Sequence, residues 1–395
     1  MPEKTLHKKR EPLFHVIKRS NIKWYQSLSI KLLSVVFAFL IACLIIYIFT
    51  KASPSVFLKG LFDGCFSKPR RTWVMFRDFS LLLIVGLALI PAFRMKFWNL
   101  GGNGQILISS LVSIMCMYYF GNMKMPDWAI ILISVPCSVL AGAIWAVIPA
   151  IFKAFFNTNE SLFTLMLNYV AEGLVAAFIA LVVKTGSGVL NPLSSGHLPN
   201  VYNNYLLTIL VAILLLIFVF IYLRFSKHGY ELQVVGESRN TAKYIGINVK
   251  WVIIRTMLLS GALCGVVGLL LGQGINYTVN TESAKNMGFT AIMVSYLAQF
   301  NPLTMVFTSF LITFINTGMS QVQSTLNITN SSIANIIVGL IYFSVIASEF
   351  FTSYKILLTN HAPKSGSKSL ETLTAKLRLI NPFSRTRKMK EEDKQ

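Results

Sequence analysis

No residue between Asn286 and Ser348 carries a charge. A folded soluble domain cannot cover its surface with such a stretch, because roughly a quarter of the residues in soluble domains are charged. The stretch must therefore lie in lipid, and at about 20 residues per helical span it holds about three. Asn301-Pro302 and the polar region 316–332 divide it into predicted spans at Met287–Ala298, Leu303–Met319 and Ser332–Phe351.

The rest of the chain repeats the pattern. Apolar runs at Leu28–Thr50, Phe79–Phe93, 105–120, Trp128–Ile151, Ser161–Val183, Asn204–Leu223 and Val252–Gly272 bring the total to about ten. Only 13% of the 395 residues are charged, 54% are hydrophobic, and the mean hydropathy is +0.61. The predicted fold class is an all-α polytopic membrane protein, since helices and closed barrels alone satisfy the backbone in lipid. Three regions are expected. They are a basic N-terminal segment 1–27, a transmembrane domain 28–354 with a cytosolic loop at 224–250, and a basic tail 355–395. The first apolar run lacks a small-residue cleavage site after it, so it is read as an uncleaved span rather than a signal peptide.

The net charge of +21 does not point to nucleic acid here, because the basic residues cluster at the two ends and in loops. With ten spans both termini share one face. That face then holds 27 of the 36 lysines and arginines and the other holds 9. The bias places both termini in the cytoplasm and basic segments against membrane lipid. Six basic residues in 51–78 run against it locally. Cys43, Cys65, Cys116, Cys137 and Cys264 show no metal-ligand spacing and are read as free structural thiols. Gly261 and Gly265, like Gly268 and Gly272, are spaced for close helix packing.

Three segments depart from a plain bundle. Between Phe225 and Leu263 lies a polar insert carrying Lys227, His228, Glu231, Glu237, Arg239, Lys243, Lys250 and Arg255. Its pattern predicts a short helix pair on the membrane surface, with Ser238 as an N-cap and Gly246 as a stop. Around the glycine cluster, Trp98, Asn99, Asn103 and Gln105 sit between apolar runs. The segment is either a cytosolic turn, which composition favours, or a broken helix of the kind that lines transporter sites. Glu172 stands at the centre of an otherwise uncharged run, where a carboxylate costs about 2.5–3.5 kcal/mol on insertion scales. It is either a pathway group or proton carrier, or a protonated acid bonded to a neighbouring helix. Asn168 lies one turn earlier on the same face. No catalytic triad, no HExxH and no G-x-x-x-x-G-K-[ST] phosphate loop occurs, so any ATP must be bound by another chain.

These segments together resemble the membrane-spanning permease subunits of ABC importers, in the branch serving simple sugars and nucleosides. WNLGGNGQILI at 98–108 resembles that family's F-N-I-G-x-E-G-Q segment. NESLFTLMLNYV at 159–170 is similar to N-E-x-x-x-T-L-M-L-N-Y. The polar insert is similar to G-x-E-L-R-A-V-G-x-N-x-x-A-A-x-Y-x-G-I-N followed by T-M-L-L-S-G-A-L-x-G, and FTAIMVSYLAQFNPL at 289–303 fits more loosely. The likeness covers roughly residues 75–350. Asn103 replaces an acidic position, Ser295, Tyr296 and Gln299 replace small residues, and Glu172 replaces an apolar one.

The resemblance implies inverted repeats of helices around a central pathway in the cell membrane. It also implies a second permease subunit, the same or related, a cytosolic ATPase that binds ATP and magnesium, and an extracytoplasmic substrate-binding protein or lipoprotein. No cofactor is expected on this chain, and no enzymatic role. The pathway is expected to use Trp98, Asn99, Asn103, Gln105, Asn168, Glu172, Phe289 and Ser295. Tyr230, Glu231, Gly236, Glu237, Arg239, Tyr244 and Gly246 are expected at the ATPase contact, with Val234, Val235 and Ile245 anchoring it. The expected cargo is a nucleoside or simple sugar. An ion- or proton-coupled secondary transporter acting without an ATPase, motivated by Glu172, is the alternative, and a membrane scaffold is a third.

Overall fold

The structure, a computed structural model, describes residues 14–18, 24–183, 188–326 and 331–358. The chain forms two contact units, 1–33 with 347–395, and 34–346. In the first, strand β1 (Phe14–Lys18) pairs antiparallel with β2 (Tyr354–Leu358), Phe14 opposite Leu358 and Lys18 opposite Tyr354. The sequence reading predicted no strand in either segment. The pairing brings Phe14–Lys18 side by side with Tyr354–Leu358. Most of the basic N-terminal segment and of the tail lies outside the described residues.

Helices make up the rest. α1 is Trp24–Thr50, of which Leu33–Thr50 is the stretch apolar enough to cross a membrane. α2 (Pro54–Phe66) and the start of α3 (Pro69–Arg94) occupy the region read as a polar loop. Each begins on a proline at its first turn, where the missing N–H costs nothing. α2 forms because Gly60 and Gly64 let it lie directly on a later helix, α12 (Pro302–Thr325). A methyl on Gly64 would stand 2.9 Å from the Gly318 backbone. The remaining helices are α4 (Gly102–Asn122), α5 (Asp127–Phe156), α6 (Glu160–Val182), α7 (Leu206–Phe225), α8 (Lys227–Glu237), α9 (Arg239–Tyr244), α10 (Val249–Leu269), α11 (Met287–Leu297) and α13 (Ser331–Ser353). A π-helical turn at Leu270–Asn276 extends α10.

Among the described residues nine helices are long and apolar enough to cross a membrane. The correction to ten falls on α11. Its 11 residues rise only about 16 Å, half of a hydrocarbon core. α3 and α10 are buried along most of their length, whereas α6 and α7 are mostly exposed. α10 packs against α5 through glycines, and a methyl on Gly142 would meet the Gly261 carbonyl oxygen at 2.6 Å. Gly268 sits against the Ile106 carbonyl in the same way.

Candidate functional site

The backbone of 97–101 is not helical, yet it is buried at the middle of its neighbours. Asn99 Nδ2 donates to Ser260 Oγ at 3.3 Å, halfway along α10. Asn99 Oδ1 accepts from Gly101 N at 3.0 Å and from Gln105 Nε2 at 3.2 Å. From α6, Thr164 Oγ1 accepts from Leu100 N at 3.1 Å. Asn168 Nδ2 donates to the Leu100 carbonyl at 3.0 Å, and Asn168 Oδ1 accepts from Gly104 N at 2.8 Å. The segment is a buried, non-helical link between α3 and α4, each of which is by itself long and apolar enough to cross a membrane. The backbone groups of this link have no water to bond, so side-chain amides take the place of a helical ladder.

The short helix α11 meets the start of α4. α11 begins where Asn103 Oδ1 accepts from Gly288 N at 2.7 Å, and Asn103 Nδ2 reaches Asn286 Oδ1 at 3.3 Å. Lys285 and Asn286 both hold left-handed backbone (φ 45° and 54°) to turn the chain into that start. Gly288 must lack a side chain, since a methyl there would lie 2.5 Å from Asn103 N. Two helix N-termini, each the positive end of a peptide dipole array, thus converge on Asn103.

A cavity of about 510 Å³ opens beside this junction, lined by Asn103, Glu172, Thr281, Glu282, Lys285 and Asn286 among others. It adjoins two more. One of about 310 Å³ shares Lys285 and is walled by Asp78, Thr313, Asn316, Thr317 and Ser320. The other, of about 360 Å³, shares Thr281. The surfaces offer amides, hydroxyls, carboxylates and one ammonium, and so can hydrogen-bond a polyhydroxylated solute at many points.

Of the eight pathway residues read from the sequence, Asn103 and Glu172 line the cavity. Asn99, Gln105 and Asn168 are buried in the bonds that hold the 97–101 link. Ser295 is fully buried and bonds back to the Ala291 carbonyl at 2.6 Å. Trp98 (43% exposed) and Phe289 (38%) present part of their rings outward. Sequence reasoning missed Glu282, Lys285, Thr281 and Asp78. Two signals were available. Lys285 is the last charge before the uncharged stretch, and Thr313, Asn316, Thr317 and Ser320 recur at the spacing of one helix face.

The polar insert is a helix pair. Ser226 Oγ accepts from Gly229 N at the start of α8, and Ser238 Oγ accepts from Thr241 N at the start of α9. Gly246 ends the pair with φ +83°. Tyr230 (63%) and Tyr244 (91%) are exposed, as are Glu237 and Arg239. Three residues depart from the expected roles. Ile245 is 55% exposed and anchors nothing, while Leu232, Val235 and Ala242 form the buried face. Gly236 is buried, and a methyl there would collide with the Arg94 carbonyl oxygen. Glu231 bonds Arg255 of α10 at 2.6 Å, which draws its carboxyl below the usual range, with Lys227 and His228 adding to the effect.

A family model described as branched-chain amino acid transport system, permease component, matches residues 74–346, more than half of the chain. The chain belongs to this permease family. The permease is similar to the guanosine ABC transporter permease protein NupP of Bacillus subtilis, 25% identical over 73% of this chain and 85% of that one. It is similar to the nucleoside ABC transporter permease protein NupB of Lactococcus lactis, 25% identical over 88% of this chain and 96% of that one. It is also similar to the glucose ABC transporter permease protein TsgB13 of Haloferax volcanii, 24% identical over 70% and 76%. No solved structure matches the chain. The permease is a multi-pass plasma-membrane protein and a transport subunit of an ABC importer. Its family implies work with an ATPase and a substrate-binding protein.

Proposed function

We propose that the permease forms the membrane pathway for a nucleoside or a simple sugar. The observation that carries this is the polar cavity at the junction of the α4 and α11 N-termini. Its amides from Asn103 and Asn286 suit the edges of a base, and the Glu172 and Glu282 carboxylates suit vicinal hydroxyls. The names of the sugar and nucleoside permeases it resembles support the same cargo. A separate cytosolic ATPase, binding ATP and magnesium, would dock on the exposed face of α8 and α9 around Tyr230, Glu237, Arg239 and Tyr244. A second permease subunit and an extracytoplasmic binding protein complete the reading.

The test is uptake into proteoliposomes carrying the complete transporter, with radiolabelled guanosine, ribose and glucose as cargo. ATP-dependent accumulation of at least one supports the reading. Accumulation of an amino acid alone removes the cargo. Uptake driven by a proton gradient without any ATPase removes the coupling.

A further inference from the structure

Four aromatic rings close on one another where α3, the 97–101 link and the end of α11 meet. Phe93 lies 5.6 Å from Trp98 and 5.6 Å from Phe300, centroid to centroid. Tyr296 lies 6.4 Å from Trp98 and 5.7 Å from Phe300, which completes the circuit. The rings come from three places: the end of α3, the 97–101 link, and the end of α11. Stacked, tilted and edge-on pairs such as these add about 0.5–1.5 kcal/mol each beyond the area they bury.

Their position relative to the cavity is the informative part. The chain from Trp98 to Asn103 runs from the rings to the cavity wall. α11 runs the opposite way, from Asn286 at the cavity to Tyr296 and Phe300, over about 16 Å. Both backbone segments that lead from the cavity toward α8 and α9 therefore end on these four rings.

The rings are also wired to the helix pair. Arg94 Nε donates to the Phe300 carbonyl at 3.0 Å, and the carbonyl of the same Arg94 is the surface on which Gly236 of α8 rests. Leu232 and Val235 of α8 share one buried cluster with Met95 and Phe97, the residues just before Trp98. α8 cannot shift without moving Arg94, Met95 or Phe97.

We infer that Phe93, Trp98, Tyr296 and Phe300 form the inner gate of the pathway and that Arg94 is the positioning residue through which α8 opens it. An apolar constriction of this kind blocks polar solutes by excluding water. The inference rests on the proposed function for its ATP-dependent arm only.

The experiment uses inside-out vesicles holding the complete transporter. Thr281, which lines the cavity, is changed to Cys as a reporter and labelled from the ATPase side with a membrane-impermeant maleimide. The chain without the reporter gives the background of the native cysteines. In the otherwise wild-type permease, labelling is expected to stay at background without ATP and to rise during ATP turnover. With Trp98→Ala and Tyr296→Ala together, labelling is expected to rise severalfold without ATP. Trp98→Leu with Tyr296→Leu keeps apolar volume and serves if the alanine pair does not insert. With Arg94→Gln, labelling is expected to remain at background during turnover while ATP hydrolysis continues. Equal, slow labelling in the wild-type and ring-deleted chains overturns the gate, and normal ATP-dependent labelling in Arg94→Gln overturns the role of Arg94. Labelling needs no cargo, so a failure of nucleoside and sugar uptake leaves this result readable and removes only the cargo assignment.

Discussion

Glu231 of α8 and Arg255 of α10 meet at 2.6 Å, with 14% and 17% of their side chains exposed. The sequence offered Glu231 as a group for the partner ATPase. The structure makes it the rivet that fixes the helix pair to the most buried helix of the domain. A hydrogen bond between charged groups contributes about 1.5–3 kcal/mol. Glu231→Gln is expected to lower the thermal midpoint of the purified permease at pH 7. Because the folded carboxyl titrates below its ordinary range, the contribution is full above pH ~5 and lost as pH falls through the depressed value. Wild type should therefore lose more stability than Glu231→Gln between pH 6 and 3, measured by thermal shift in detergent. Parallel curves would assign the ion pair no role.

Glycines at two positions make opposite forecasts. Gly236→Ala forces α8 off the Arg94 carbonyl, and overpacking of this kind costs about 1–3 kcal/mol. It should depress ATP-driven uptake more than it depresses expression. Gly173→Ala on α6 meets nothing within 4 Å and lies inside a helix, so it should stabilise by up to about 1 kcal/mol. Thermal midpoints and uptake rates measured side by side test both.

Asn168 and Glu172 lie one turn apart on α6 and are expected to fail differently. Asn168→Ala strands the Gly104 N–H and the Leu100 carbonyl in a buried place, at about 1–3 kcal/mol each. It should reduce the amount of folded permease. Glu172→Gln lies on the cavity wall and should leave the thermal midpoint near wild type while changing the uptake rate. Size-exclusion profiles separate the first effect from the second.

Burial raises the Cys65 thiol to about 11, so almost none of it is thiolate at neutral pH. Its sulfur also faces the Phe314 carbonyl at 3.6 Å. Maleimide at pH 7 should leave Cys65 unmodified until the permease is denatured, as read by mass spectrometry of the peptide. Rapid labelling of the folded protein would contradict the packing of α2 on α12.

The long spans were legible because hydropathy needs only composition and length. α2 was not, because it is only 13 residues long and its basic neighbours made 51–78 look like a loop. α11 was overcounted for a related reason. Its residues are as apolar as a full span, and that composition outweighed the shortness of the predicted stretch Met287–Ala298. At the site, residue types identified the important segments, but not which polar groups serve the cavity. Asn99, Gln105 and Asn168 look like ligand-binding amides in a sequence. Asn168 bonds backbone at both ends, while Asn99 bonds the Gly101 N–H, Ser260 and Gln105, and only three-dimensional placement distinguishes an amide that braces a chain segment from one that faces a cavity.

The clamp on Leu100 also joins two segments that lie far apart in the sequence. Thr164 and Asn168 sit in the TLMLNY segment, and each satisfies one side of the Leu100 peptide in the WNLGGNG segment. The Asn168 position asks for one acceptor and one donor at a fixed reach. Asp lacks the donor, Gln overshoots and Ser supplies too few atoms. The two segments thus constitute a single chemical signature written in two places. Neither half can form the clamp on Leu100 without the other.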